Sequence, residues 1–517
     1  MLAVALAAPL AFAAAEGYVF GDLGGFPLDD SWIHLVFARH LAAGEGLSFN
    51  PGELVAGSTA PLWTALLSVL FLLPGSIAAW SKALGVAAQV ATVAVAHRLG
   101  ERLGLSPPRA ALAALLVALS DGLVFSTISG MEVNLFTLLS LAGLLAHLAE
   151  RADPQRAPLS FLLFGLAALA RPEGLLLPVL AALDRALVAR PGAEGLALSA
   201  AGARRAARGL ALAALVVAPV ALAYWQMSGS PLPTTLAAKS SGPAALVPQL
   251  RFVEAIFALL FSSQPLPALL AAGGAVVAVR RLGGPLDRGL LLPMWTFGLP
   301  VAAAMLSSGE ELLIGNFGRY FFPLLPAVVL LGVLALEGVP RARLRALELG
   351  ALRLPVGLLL LAALVVPPAL RTVRIAGLYL AARANVEDAD GAAADWLSEH
   401  VSAQARLGLC DIGVAGWRLA NPIVDLAGVV APERQAYLAR LERERALAWP
   451  AALRLWLDEQ RPDYVVLYPK WFPLLEREPE SFPVLHRIAI PNNVAMAGDE
   501  LVVYATPWTR PDSPGAP

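Results

Sequence analysis

Runs of roughly twenty apolar residues recur along this chain, and about that length is what a helix needs to cross a bilayer. They lie near 1–20, 78–97, 110–128, 131–149, 208–227, 254–279, 289–307, 319–337 and 354–372. A further run, 158–188, is long enough for two shorter helices and carries Arg171, Pro172 and Glu173 near its middle, where proline breaks a helix. The expected architecture is therefore a polytopic α-helical membrane protein of about eleven spans. Composition agrees: 58% of the 517 residues are hydrophobic and 15% charged, against about 25% charged in an ordinary soluble domain. A net charge of -1 argues against a nucleic-acid partner. One cysteine, Cys410, excludes an intrachain disulfide and any multi-cysteine metal site. The opening MLAVALAAPLAFAAA lacks a basic leader and is read as the first span, with a cleaved signal peptide as the alternative.

Lysine and arginine in short loops favour the cytoplasm. The clusters at Arg98, Arg102 and Arg109, at Arg151 and Arg156, from Arg185 to Arg208, at Arg280, Arg281 and Arg288, and from Arg341 to Arg353 are all placed inside. The connections 21–60, 121–132, 228–250 and 309–318, and everything after about 373, then lie outside. A full crossing by 61–74 would reverse every later loop, so that run is expected to be re-entrant or interfacial, ended by Pro74 and Gly75.

The expected division is a membrane domain, 1–374, carrying the outer loop 21–60, and an extracytoplasmic α/β domain, 375–517. In the latter, short β-type runs (LGLCDIG, PIVDLAGVV, DYVVLYP, LVVYAT) alternate with helix-like runs such as DGAAADWLSEHV.

Polar chemistry concentrates in the outer connections. Loop 21–60 supplies Asp29, Asp30, His34 and Arg39; 121–132 supplies Asp121 and Glu132; 228–250 supplies Lys239; and Arg319 and Tyr320 open the span after 309–318. Acids and cations gathered at one membrane face suit a lipid-linked phosphate substrate: cations hold the phosphate while a carboxylate activates an acceptor hydroxyl. Asp29, Asp30 and Glu132 could also hold a divalent cation, Mg²⁺, Mn²⁺ or Ca²⁺. Plainer readings stand beside these. Asp121 and Lys239 are ordinary interfacial charges, His34 is an interfacial residue on an amphipathic helix, Arg171 and Glu173 are a pair closing a helix break, and one aspartate of the Asp29-Asp30 pair is a helix N-cap. Capping uses only one of the two acids.

The run from Asp29 to Trp63 resembles the start of bacterial GT-C glycosyltransferases, especially those like mycobacterial arabinofuranosyltransferases. It carries the paired aspartates, Gly44-Glu45-Gly46, the turn Asn50-Pro51-Gly52-Glu53 and Thr59-Ala60-Pro61-Leu62-Trp63. SGME (129–132), RPEG (171–174), GSPLPTT followed by AAK (229–239), GRYFFP (318–323) and DLAGVVAPE (425–433) also look like this family. The resemblance implies a hexosyl- or pentosyltransferase of the bacterial inner membrane, its active site and C-terminal domain extracytoplasmic. It would take a sugar from a polyprenyl-phosphate donor to a glycan or lipid acceptor. Such enzymes are generally inverting, and the catalytic acid falls on Asp29 or Asp30. Lys239 and Arg319 become candidates for holding the phosphate, and Glu132 for assisting the acid or a metal. Ile33 to Phe37, where an aromatic residue and an arginine are usual, and PLPTT in place of PLPNT depart from the family and bear on the substrate. The rival readings are a transporter or lipid flippase, which would place polar groups near the bilayer midplane, and a non-catalytic scaffold whose outer domain binds a partner.

Overall fold

The computed structural model describes residues 1–189, 196–235, 250–306, 317–337, 346–349, 352–445, 449–473 and 475–509. Lys239, most of the connection 309–318, and Arg341 and Arg343 lie outside the described residues. The chain divides into two compact units, one made of 1–21, 82–219 and 242–376, the other of 22–81, 220–241 and 377–517.

The first unit is helical. Among the described residues of the whole chain, five helices are long and apolar enough to span a membrane, seven if two bent pairs are each one span; four shorter apolar helices accompany them. The 158–188 run is two helices, Leu159–Ala170 and Leu176–Ala186, separated by an extended Arg171 and a 3₁₀ turn, Pro172–Leu175. The run 254–279, read as a single span, is instead two helices, Leu250–Ser263 and Pro265–Arg280, bent by 118°. The cause is Pro265. It occupies the first turn of the second helix and pushes the residue before it, Gln264, out of helical geometry, to φ -134 and ψ 71.

Glycine lets these helices approach backbone to backbone. A Cβ on Gly274 would overlap the Leu331 carbonyl, and one on Gly332 would overlap the Pro267 backbone, so Pro265–Arg280 and Leu325–Glu337 meet through reciprocal small residues. Charges buried in the bundle are paired, as an apolar interior demands: Lys82 Nζ lies 2.5 Å from Glu16 Oε1, with both side chains at most 5% exposed.

The second unit is built on a five-stranded sheet: β5 (Leu407–Leu409), β6 (Ile423–Asp425), β7 (Tyr464–Leu467), β8 (Val484–Ala489) and β9 (Glu500–Ala505), in the order β6-β5-β7-β9-β8. The numbering leaves β1 to β4 for two small antiparallel ribbons, 187–189 with 196–198 and 346–349 with 352–355. β5 runs parallel to β6 and β7, and β9 is antiparallel to β7 and β8. The chain leaves β5 toward β6 on one side and returns past it to β7 on the other, so the carboxyl ends of β5 and β7 flank a topological switch point.

Segment 22–81 is part of the same core. Ile33, Val36 and Phe37 of the helix Asp29–Ala42, with Phe49 and Val55, are buried together with Leu407, Leu409, Leu457 and Val465. The Asn50 side chain completes the free edge of β6, donating to the Ile423 carbonyl and accepting from the Ile423 N–H, each at 3.0 Å. The 61–74 run forms a ten-residue helix, Pro61–Leu70, about 15 Å long and thus about half the hydrocarbon thickness of a bilayer.

Candidate active site

Both aspartates lie in the first turn of the helix Asp29–Ala42, where carboxylates complement the helix dipole, but neither is its N-cap; that position is Leu28, which makes no side-chain capping bond. The expected N-cap role is corrected by what Asp29 does instead. It caps a different helix, Gly413–Arg418, far along the chain: the Gly413 N–H donates to Asp29 Oδ2 and the Val414 N–H to Asp29 Oδ1, both at 2.7 Å. A Cβ on residue 413 would drive into the Asp29 carbonyl oxygen, so the approach requires glycine. At the other end of the same short helix, Arg39 donates to the carbonyls of Gly416 (2.9 Å) and Trp417 (3.0 Å), with its guanidinium 4.9 Å from the Trp417 ring centre. Trp417 also contacts Trp32 and Phe71, forming an aromatic patch.

Gly413 follows the carboxyl end of β5, at the switch point of the sheet. There Asp411 accepts a 2.5 Å hydrogen bond from the Tyr468 hydroxyl, one residue beyond β7. Burial and the neighbouring Asp411 charge push the Asp29 carboxyl up to about 8, although the two amides it accepts from pull the other way. Asp411 is raised to about 6 by burial, with Asp30 and Asp425 adding to the shift and the Tyr468 hydrogen bond opposing it. These acids therefore cannot all hold charge together near neutrality. Asp30 is partly exposed and lies one helical turn from buried His34, so the two share a helix face. Asp390 lines a small cavity with Cys410 and Asp411.

Two further sequence strings do structural work in this unit. The Asp425 carboxylate of DLAGVVAPE accepts from the N–H groups of Ala427, Gly428 and Val430 at 2.6–2.9 Å, folding the loop after β6. Thr234 of GSPLPTT bonds the Ala56 and Val429 carbonyls, each at 3.2 Å.

The remaining candidates meet in the first unit. Buried Arg171 ion-pairs with Glu132 at 2.6 Å and Glu173 at 2.9 Å, and its guanidinium lies 4.9 Å from the Tyr320 ring centre. Arg319, also buried, lies 5.5 Å from the same ring. SGME, RPEG and GRYFFP thus form one charge-compensated knot. Lys239 lies outside the described residues. Among the described residues no three His, Cys, Asp or Glu side chains gather where a metal ion could sit. Both Asp29 carboxyl oxygens are engaged by the Gly413 and Val414 amides, and Glu132 Oε1 is engaged by Arg171.

The sequence reading did not single out Asp411, Gly413, Tyr468 or Asp390. The one local sign was the order strand, acid, glycine in Leu409-Cys410-Asp411-Ile412-Gly413, which marks a strand end closely approached by other backbone.

Residues 376–508 match a family described as a domain of unknown function (DUF8728). No curated protein matches the chain. Among solved structures it is similar to ArnT from Cupriavidus metallidurans in the apo state, at 15% identity and a TM-score of 0.57, over 96% of this chain and 97% of that one. ArnT bound to undecaprenyl phosphate matches at 14% identity and the same TM-score and coverage. The oligosaccharyltransferase of Archaeoglobus fulgidus in the apo form matches at 12% identity and a TM-score of 0.55, over 99% of this chain and 75% of that one. At these identities the likeness is one of fold: the chain shares the fold of ArnT and of the archaeal oligosaccharyltransferase.

Proposed function

We propose that this protein is an integral-membrane glycosyltransferase that moves a sugar from a polyprenyl-phosphate donor to a glycan or lipid acceptor on the extracytoplasmic side of the inner membrane, with Asp30 as general base. The observation that carries the assignment is the engagement of both Asp29 carboxylate oxygens by the Gly413 and Val414 amides. Asp29 is thereby an anchor, and we assign the chemistry to Asp30, its partly exposed neighbour in the same helical turn. The fold shared with an ArnT structure solved with undecaprenyl phosphate supports a lipid-phosphate donor.

In this reading Asp30 takes the proton of the acceptor hydroxyl as its oxygen attacks the anomeric carbon. The bond from that carbon to the phosphate oxygen breaks, and polyprenyl phosphate leaves from the opposite face with inversion. Arg319 and Lys239 hold the leaving phosphate and stabilise the charge that grows on it. Glu132 acts through Arg171, as a positioning residue. Arg39 keeps the helix bearing Asp30 in place, the Trp32–Trp417 patch offers an apolar surface beside it, and His34 orients the Asp30 face. No step is routed through a metal.

The test is sugar transfer by the purified full chain in vesicles supplied with an undecaprenyl-phosphate-linked sugar and a panel of glycan and lipid acceptors. Cleavage of the sugar–phosphate bond with release of undecaprenyl phosphate is expected. Lipid moved between leaflets with the bond intact would establish the flippase reading instead.

A further inference from the structure

At one end of the helical bundle, a small cleft lies between the turn after Arg102 and the connection from Pro265–Arg280 to Leu291–Leu306. Leu103, Leu286, Leu292 and Leu331 are among its lining residues, with two arginines, Arg281 and Arg288. Cations on an apolar wall are costly unless paired, and here the usual partners are committed elsewhere. Asp287 serves Arg151 and the Gly283 and Gly289 amides; Glu337 pairs with Arg109 at 2.5 Å; Glu101 pairs with Arg98. Arg281 donates only to the Leu103 carbonyl, at 3.0 Å, and Arg288 only to the carbonyls of Arg102 (2.6 Å) and Asp287 (2.9 Å). Among the described residues neither reaches a carboxylate.

Carbonyl oxygens orient these two forks without neutralising them. Two net positive charges therefore face a half-apolar cleft, the complement of an anionic head group that carries hydrocarbon. The hydrocarbon has a track to follow. Leu269, Val276 and Val279 are 67, 48 and 51% exposed, and their spacing of seven and three residues puts them on one face of Pro265–Arg280, the helix that delivers Arg281.

We propose that this cleft binds the phosphate of an anionic bilayer phospholipid through Arg281 and Arg288, with an acyl chain lying along Leu269, Val276 and Val279. The site uses none of the residues assigned to sugar transfer and stands whether or not that assignment holds. Basic pockets between membrane helices hold anionic lipid head groups by the same physics.

The test is native mass spectrometry of the full-length protein, washed in detergent with an equimolar mixture of phosphatidylglycerol and phosphatidylcholine. The wild type is expected to retain phosphatidylglycerol over phosphatidylcholine by roughly tenfold. R281Q/R288Q should lose that preference, and R280Q, which changes an exposed arginine outside the cleft, should keep it. Two wild-type outcomes decide the matter without any variant: absence of the preference, or displacement of the lipid by inorganic phosphate, would overturn the proposal. Undiminished preference in a folded R281Q/R288Q would overturn it as well.

Discussion

Asp29 and Arg39, on one helix, hold opposite ends of another: Asp29 accepts from the amides that begin Gly413–Arg418, and Arg39 donates to the carbonyls that end it. Arg39 has the sign that the carboxyl end of the held helix favours, and Asp29 supplies acceptor oxygens to its first amides. The grip fastens the segment bearing the proposed base to the switch point of the sheet, so Asp30 is positioned by residues nearly four hundred positions away in sequence.

If Asp29 is an anchor, D29A leaves two amides without their acceptor and should destabilise the protein by about 2–4 kcal/mol. R39A, which removes two carbonyl bonds and a ring contact, should cost about 1–2 kcal/mol. Thermal unfolding in detergent checks both, and values near zero would remove the clamp from the account.

Gly413 offers a second test of the same contact. G413A puts a methyl group against the Asp29 carbonyl oxygen and should lower the unfolding temperature at least as much as D29A. G377A, where the space around the glycine is open, should not.

The raised acids make a prediction about pH. Asp29 at about 8 and Asp411 at about 6 both lie above their ordinary value of 3.8. The folded state therefore holds more protons than the unfolded state between about 4 and about 8. Their contribution to stability is complete below that window and is lost as pH rises through it, by about 6 for Asp411 and by about 8 for Asp29. Unfolding temperatures should fall across that interval in the wild type and fall less in D29N.

The knot around Arg171 should behave as a buried pair. R171M strands Glu132 and Glu173 and should cost about 3–5 kcal/mol, while R171M/E132Q should recover part of the loss. Unfolding of the two variants side by side measures this.

Long apolar helices were legible because a bilayer requires unbroken apolar length, and the break at Pro172 because proline was its visible cause. Pro265 carried the same signal inside 254–279, but the surrounding hydrophobicity masked it. The runs at β5, β6, β7 and β9 were apolar enough to read. β8 was not, since its strand VLHRIA places histidine and arginine among its apolar residues. The paired aspartates announced a polar site, yet their division of labour was not local information. It depends on Gly413 and Val414, and a contact spanning almost the whole chain leaves no periodicity in the sequence around either partner. The same holds for Arg39, which reads locally as a free cation and is in fact a clamp.

The most direct test compares D30N with D29N in sugar transfer from an undecaprenyl-phosphate-linked donor, using reconstituted protein whose unfolding temperature is measured in parallel. D30N is expected to keep the wild-type unfolding temperature and lose about 10²–10⁴-fold in turnover, whereas D29N should be less stable and retain turnover while folded. Full transfer by a folded D30N, or a loss of turnover by D29N that matches that of D30N without loss of stability, would contradict the assignment.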